Sequence, residues 1–189
     1  MIPIPFDLPT TLFVSVSLAM DAMAVSICAG LSGTTDRVSI GLKTAALFGL
    51  FQFGMPILGW MAGTAFSTVI SGIDHWLAFG ILVVIGAKML HESRKASCSN
   101  APGRTTAVLL ALALATSIDA FAVGLSYAFL AAPIALPAII IGIVTFILSF
   151  SGYLGGSRMG VAAGRWAEIF GGGILIGIGI KILLEHLLA

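Results

Sequence analysis

Six runs of mostly apolar residues, each close to the length of about 20 residues that crosses a bilayer as an α-helix, fill nearly the whole chain of 189 residues. Only 9% of the residues are charged, whereas soluble domains carry about 25%. We therefore predict an all-α integral membrane protein with six transmembrane helices. The predicted spans are residues 8–31, 40–62, 75–91, 105–130, 134–154 and 166–187.

Short connections between the spans leave no room for a soluble catalytic domain, and we expect no enzymatic activity. The chain lacks the G-x-x-x-x-G-K-[ST] motif that holds ATP phosphates, and it indicates neither a cofactor nor binding to nucleic acid. Its required partner is the lipid bilayer, and a homo-oligomer is left open. Cys28 lies in an apolar span and Cys98 in a polar connection, so no disulfide framework is expected.

Basic residues lie in alternate connections. Because cytoplasmic loops collect Lys and Arg, this distribution predicts that both termini lie outside the cytoplasm, and only Lys181 near the end of the last span argues against it. The basic residues are Arg37 and Lys43 at the first connection, Arg94, Lys95 and Arg104 at the third, and Arg158 and Arg165 at the fifth.

The second half of the chain repeats the first. Asp21-Ala22-Met23-Ala24-Val25 matches Asp119-Ala120-Phe121-Ala122-Val123, and the glycines of the second span, Gly49, Gly59 and Gly63, recur in the fifth as Gly142, Gly152 and Gly156. Since each half has three spans, the second enters the membrane from the opposite face. We predict a 3+3 inverted-topology repeat of residues 1–93 and 105–189, joined by a cytoplasmic linker, 94–104. The alternative is similarity through shared apolar composition alone.

Asp21 and Asp119 occupy equivalent positions near the middle of apolar spans. A carboxylate at the bilayer centre costs about 2.5 to 3.5 kcal/mol on insertion scales, so two of them require an explanation. One is a pair of protonated structural acids. The other is a cation or proton site near the midplane, where two adjacent carboxylates stay ionised only with a cation between them.

Further oxygen atoms surround the acids in the sequence. Ser17 lies one turn before Asp21, while Thr116 and Ser117 precede Asp119. In the second span Gln52 offers its side-chain oxygen. It also offers its backbone carbonyl oxygen, because Pro56 lacks the N–H that would donate to that carbonyl in a helix. Thr145 stands at the equivalent position of the fifth span and is the weaker candidate. Hard and intermediate divalent cations prefer such oxygen ligands.

Small residues form a ridge in each of the two acid-bearing spans. Ridges of this kind let transmembrane helices approach closely, so we expect the first and fourth spans to cross at them, with the acids beside the contact. The alternative is that each ridge packs on another helix. The ridges are Ala22, Ser26 and Gly30 in the first span and Ala120, Gly124 and Ala128 in the fourth.

Asp74, His75 and Glu168 fall at the starts of the third and sixth spans. Acidic residues suit the positive end of a helix dipole, so capping is their default interpretation. The sequence leaves open whether they line a transport pathway.

Five motifs together resemble the bacterial manganese exporters called MntP. They are SLAMDAMAVS at 17–26, FGLFQ at 48–52, MPILGW at 55–60, ATSIDAFAVG at 115–124 and AEIFGG at 167–172. The resemblance covers nearly the whole chain and implies efflux of Mn²⁺ across the inner membrane, with Asp21 and Asp119 as the intramembrane acids. Gln52 stands where some members are expected to have Glu. The identity of the metal depends on the resemblance, because the residues alone do not separate Mn²⁺ from Fe²⁺, Co²⁺ or Cd²⁺.

The preferred hypothesis is a secondary exporter of Mn²⁺, which is the transported substrate and not a cofactor. The alternative is a proton-coupled exporter of another divalent metal or of a small organic solute such as an amino acid. An intramembrane aspartyl protease would also use two acids, but the G-x-G-D pattern is absent from both aspartate motifs.

Overall fold

The computed structural model describes residues 8–30, 37–70, 74–92 and 106–188. These residues form five α-helices: α1 (Leu8–Gly30), α2 (Arg37–Ile70), α3 (Asp74–Glu92), α4 (Thr106–Phe129) and α5 (Ala135–Leu188). Within the described ranges no residue is in a β-strand, so the prediction of an all-α protein is confirmed there.

Among the residues that the structure describes, four helical segments are long and apolar enough to cross a membrane: Leu8–Gly30, Arg37–Ala65, Ala107–Phe129 and Ala135–Gly156. They correspond to the predicted first, second, fourth and fifth spans, and α3 corresponds to the predicted third. Large apolar side chains point outward, as lipid-facing residues do; Leu50 is 63% exposed and Val84 is 68% exposed. The chain is therefore a multi-pass membrane protein.

The predicted fifth and sixth spans lie in one continuous helix, which differs from the expectation of a loop carrying Arg158 and Arg165. The physical reason is that no proline follows Pro137, so every residue of α5 after it can donate to the helical hydrogen-bond ladder. Ala138 and Ile178 belong to the same core cluster, although a straight helix would separate them by about 60 Å. The long helix α5 therefore bends between them.

Glycines bring the helices together in two parallel pairs. Gly152 and Gly156 of α5 pack on the backbone of Met23 and Ile27 in α1. In the second pair, Gly59 and Gly63 of α2 pack on the backbone of Phe121 and Leu125 in α4. A Cβ atom at any of these four glycines would lie within 3.3 Å of a backbone atom of the partner helix, so a larger residue would push the two helices apart.

The helices α2 and α5 meet each other at Gly49 and Gly142. A Cβ atom on Gly49 would lie 3.0 Å from the carbonyl oxygen of Gly142, and one on Gly142 would lie 3.1 Å from that of Gly49. Phe146 flanks the first contact and Phe53 flanks the second. This arrangement makes α2 and α5 antiparallel neighbours.

A tight turn joins α4 to α5. Ala131 has a φ of 51°, and the indole N–H of Trp60 in α2 donates to the carbonyl of Ala132 at 3.0 Å. The turn therefore ties the end of α4 to α2.

Several predictions fall outside what the structure describes. The linker 94–104, with its basic residues and Cys98, lies outside the described residues, and the side chains of Asp74, His75 and Glu168 lie outside the described side chains. Cys28 is disulfide-bonded, which the sequence analysis did not predict.

Candidate metal site

Both aspartates of the predicted site are buried in the helix assembly. Asp21 lies on α1 and is 8% exposed, and Asp119 lies on α4 and is 5% exposed. Each is surrounded on its own helix by small residues, among them Ala22 and Ala120, which are fully buried. The carboxylates are thus held away from lipid, inside the protein.

The two acids lie at similar depths because α1 and α4 run antiparallel. Thr11 and Tyr127 line one small cavity of about 140 Å³ at one end of the pair, and Ala22 shares a core cluster with Ala113 towards the other. Counting 1.5 Å per residue from these two shared regions, the depths of Asp21 and Asp119 differ by about 3 to 8 Å.

Three of the predicted hydroxyl ligands are hydrogen-bonded within their own helices. Ser17 donates to the carbonyl of Phe13 at 2.8 Å, Thr116 to that of Leu112 at 3.0 Å, and Ser117 to that of Leu114 at 2.9 Å. Each donation uses the hydroxyl hydrogen and leaves lone pairs on the oxygen. These oxygens therefore keep the capacity to accept a hydrogen bond or to ligate a cation.

Gln52 connects α2 to the neighbourhood of Asp119. Its side chain is fully buried, and Nε2 donates to the carbonyl of Thr116 at 2.9 Å, one helical turn before the aspartate. Oε1 is buried with no hydrogen-bond partner. Pro56 lies inside α2 and cannot donate to the carbonyl of Gln52. Gln52 thus keeps an unpartnered side-chain oxygen, and its carbonyl lacks the usual helical donor.

Thr145 lies on the side of α5 that packs on α1. Together with Ser149, Gly152 and Gly156 it forms one stripe along α5, and the two glycines of that stripe pack on α1. Thr145 and Ser149 are both fully buried, and their hydroxyl oxygens have no hydrogen-bond partner. Its helical spacing from Gly152 and Gly156 therefore places Thr145 on the side of α5 that packs on α1.

Sequence reasoning gave Ser26 no chemical role and did not rank Ser149 as a ligand. Ser26 lies on α1 among the residues that pack on α5, and its hydroxyl is fully buried without a hydrogen-bond partner. The spacing of Thr145 and Ser149 ahead of the two glycines is the signal that could have identified this polar contact.

The expected crossing of the two small-residue ridges is wrong. Gly30 packs on the carbonyl of Tyr153 in α5, whereas Gly124 packs on that of Pro56 in α2 and Ala128 contacts Gly63 of α2. The glycine stripes of α2 and α5 offer the closer backbone approach. Each ridge therefore packs on a helix of the other predicted half, which is the alternative interpretation.

Within the described part of the chain, no group of three or more His, Cys, Asp or Glu side chains is placed to hold a metal ion. A metal bound near the acids would therefore depend on two carboxylates and neutral oxygens. That donor set suits a hard or intermediate divalent cation and not a thiophilic one.

Comparison with known proteins identifies the family of the chain. A family model described as "Putative manganese efflux pump" matches residues 35–183. The chain belongs to the MntP family. This confirms the resemblance drawn from the sequence motifs.

MntP relatives cover almost all of the chain. A protein from Methanosarcina mazei is 47% identical over 182 residues, which are 94% of this chain and 96% of the relative. One from Methanosarcina acetivorans is 48% identical, over 95% of this chain and 97% of the relative. One from Gloeothece citriformis is 44% identical, over 96% of this chain and 97% of the relative. All three are named "Putative manganese efflux pump MntP". No solved structure matches the chain.

Proposed function

We propose that this protein is a secondary transporter that exports Mn²⁺ from the cytoplasm through a midplane site built on Asp21 and Asp119. The observation that carries the proposal is the burial of these two carboxylates at similar depth in an MntP chain. Gln52 supplies neutral oxygens beside them, and Ser17, Thr116 and Ser117 supply hydroxyl oxygens. Thr145 belongs to the outer part of this oxygen set, because it faces α1.

The charge balance supports a divalent substrate. Two ionised carboxylates neutralise one Mn²⁺, so the loaded site has no net charge, which lowers the cost of holding the ion inside a membrane. Outward movement of two charges against an inside-negative potential costs about 4.6 kcal/mol per 100 mV. Because the sequence has no ATP-binding motif, we propose that an ion gradient supplies this energy.

We also propose that the chain is a 3+3 inverted repeat. The two parallel helix pairs support it: Gly152 packs on Met23 and Gly59 on Phe121, and these contacts are equivalent when the halves are aligned on their aspartates and glycines. The mutual contact of Gly49 and Gly142 supports a pseudo-two-fold axis between α2 and α5. Transporters of this architecture expose a midplane site alternately to the two sides of the membrane.

In this arrangement residues 1–93 and 105–189 are the two halves, and the linker 94–104 lies in the cytoplasm. Both termini lie outside the cytoplasm, and the membrane is the inner, cytoplasmic membrane. The basic residues of the odd-numbered connections support this orientation.

The test is metal uptake into inverted membrane vesicles. Vesicles containing the wild type are expected to accumulate Mn²⁺, and D21N and D119N are each expected to abolish accumulation at equal protein levels, because each removes one of two charges that hold the ion. D36N is the matched control, since Asp36 lies between the first two predicted spans, and it should retain transport. The panel includes Fe²⁺, Co²⁺, Zn²⁺ and Cd²⁺.

Retained Mn²⁺ uptake by D21N or D119N would contradict the paired-acid site. If the well-inserted wild type transports another metal instead, manganese is the wrong substrate. Uptake of no metal would favour proton-coupled export of an organic solute.

A further inference from the structure

We propose that Tyr127 is the outer gate of the transport pathway, the side chain that closes the passage from the two aspartates to the extracytoplasmic face. This inference rests on the proposed export of Mn²⁺ and on the proposed orientation, in which α4 ends at that face. Tyr127 is 1% exposed and is the bulkiest of the fully buried side chains in the described part of the chain. It comes eight residues after Asp119 on α4, which is about 12 Å further outward at 1.5 Å per residue.

Apolar side chains continue from Tyr127 to the level of the aspartates. On α4, Val123 comes one turn after the aspartate, and on α1, Leu18 and Val14 come about one and two turns before it. These spacings put the three side chains on the aspartate-bearing faces of their helices. All three are at most 2% exposed and belong to the same buried core cluster as Tyr127. A hydrated ion does not pass such a dry apolar constriction, so the cluster must open for the ion to be released.

A small cavity lies at the extracytoplasmic end of this packing. Its volume is about 140 Å³, and its wall includes Tyr127, Thr11 of α1 and Pro133 of the turn between α4 and α5. Thr11 precedes Asp21 by ten residues, or about 15 Å. The cavity has hydroxyl groups in its wall and is large enough for water molecules. It is the vestibule that an ion reaches once the gate has opened.

The cytoplasmic side of the aspartates is closed by a second cluster, in which the equivalent side chains are smaller or more polar. Its described members, buried and partly buried, come from α1, α2 and α4: Ala22, Val25, Leu47, Phe48, Phe51, Leu112 and Ala113. Aligning the two halves on their aspartates pairs Tyr127 with Ala29. The same alignment pairs Leu18 with Thr116. The cytoplasmic side thus has a methyl group and a hydroxyl where the outer side has a phenol ring and a branched apolar chain.

This difference makes the two sides unequal. Identical halves of an inverted repeat would open outward and inward equally often. Opening exposes buried apolar area, and its cost grows with that area, so Tyr127 and Leu18 make outward opening the less frequent event. The helices packed alongside do not cancel the difference, because Phe48 of α2 and the equivalent Ile141 of α5 are both fully buried. The protein therefore rests closed to the outside and opens towards the cytoplasm, where an exporter loads its ion.

The thiol reactivity of two matched reporters tests the gate. V123C lies one turn outward of Asp119, and V25C is the equivalent position one turn inward of Asp21; each is placed in a C28S/C98S background. A charged, membrane-impermeant thiol reagent is applied to right-side-out vesicles for V123C and to inverted vesicles for V25C, and each rate is divided by that of the unfolded protein. We expect V25C to react at least about tenfold faster than V123C, because the outward-open form is the minor one.

Y127A removes the gate and should shift the equilibrium outward. V123C should then react about tenfold faster from outside, and V25C should react more slowly from the cytoplasmic side. A local cavity left by the missing ring would speed V123C without slowing V25C, so the second change separates a gate from simple packing. Y127F keeps the ring and should protect V123C as the wild type does. If Y127A fails to insert, Y127L, which also removes the ring, makes the same comparison.

Y153A is the matched control for Y127A. Tyr153 is 2% exposed and packs on Gly30 and Gly41 at the cytoplasmic ends of α1 and α2. Its truncation removes the same buried ring and should leave V123C protected.

Mn²⁺ uptake by inverted vesicles gives a second measurement. The Mn²⁺ concentration for half-maximal uptake should rise in Y127A by the factor by which the reaction of V25C slows, because only the inward-open form binds Mn²⁺ from the cytoplasmic side.

Reaction of V123C as fast as that of V25C without the gate mutation, or rates that Y127A leaves unchanged, would overturn the gate while leaving export intact. Faster reaction of V123C in Y127A without slower reaction of V25C, or equally fast reaction of V123C in Y153A, would also overturn it, since Tyr127 would then only fill space. The expected reactivities in a protein that takes up no Mn²⁺ would instead support the gate and overturn the proposed export.

Discussion

At the scale of single residues, the oxygens near the two aspartates divide into two groups. Ser17, Thr116 and Ser117 donate to carbonyls of their own helices. The side-chain oxygens of Gln52, Thr145, Ser149 and Ser26 are buried without a partner. A buried polar atom left unpaired costs about 1 to 3 kcal/mol. The second group is therefore the one whose oxygens gain most from a bound cation.

Gln52 provides the sharpest test of a neutral ligand. Q52L keeps the approximate volume but removes Oε1, the proposed neutral ligand, and the hydrogen bond to the carbonyl of Thr116. The Mn²⁺ concentration for half-maximal uptake should rise about tenfold, which is the size expected for losing one polar contact with a charged group. Q52E keeps an oxygen at the same place and should retain transport. Uptake by inverted vesicles over a range of Mn²⁺ concentrations measures both.

T44V is the control for Q52L, because Thr44 is buried two turns earlier on α2 and its hydroxyl already donates to Ile40. An unchanged Mn²⁺ dependence in Q52L would remove Gln52 from the site.

At the scale of elements, hydropathy predicted the helices well, because apolar runs of membrane length have few alternatives to an α-helix in lipid. It placed α1, α3 and α4 within a few residues of their observed ends. Periodicity did not predict which helices become neighbours. The small ridges of α1 and α4 were expected to meet, whereas glycines on α2 and α5 receive them, and such partner choices depend on the whole assembly.

Two glycines of α2 test this packing within one helix. A Cβ atom on Gly59 would overlap the carbonyl oxygen of Phe121, whereas one on Gly54 meets nothing within 4 Å. G59A is expected to lower the free energy of unfolding by about 1 to 3 kcal/mol through overpacking. G54A should leave stability unchanged or raise it slightly, because alanine favours the helix.

Thermal unfolding of both variants in the same detergent makes this comparison. Equal Tm values for G59A and G54A would mean that α2 and α4 do not approach as closely as described.

At the scale of the whole molecule, the family and the membrane class followed from the sequence, because acid-centred motifs within apolar spans are specific and lipid restricts the fold. The continuity of α5 did not follow from the sequence. The charges of Arg158 and Arg165 predict a loop between the fifth and sixth spans, whereas the absence of proline there allows a helix. The structure has the helix. The number of crossings therefore stays a prediction.

Reporter fusions count the crossings. With six spans, alkaline phosphatase fused at either end of the chain should be active, and the same enzyme inserted at residue 98 should be inactive, because only the periplasmic side allows its disulfides to form. A green fluorescent protein fused at the same three places serves as the reciprocal control. A C-terminal fusion that is inactive while the N-terminal one is active would mean that α5 crosses the membrane only once.

The central claim is that one Mn²⁺ is held jointly by an aspartate from each half of the chain. Titration of the purified protein with Mn²⁺, followed by the electron paramagnetic resonance signal of the free ion, tests it most directly. The account predicts one bound ion per chain in the wild type, and equal loss of binding in D21N, in D119N and in the double variant, because either acid alone leaves the ion half neutralised. Two bound ions, or single variants that each keep one, would contradict a shared site.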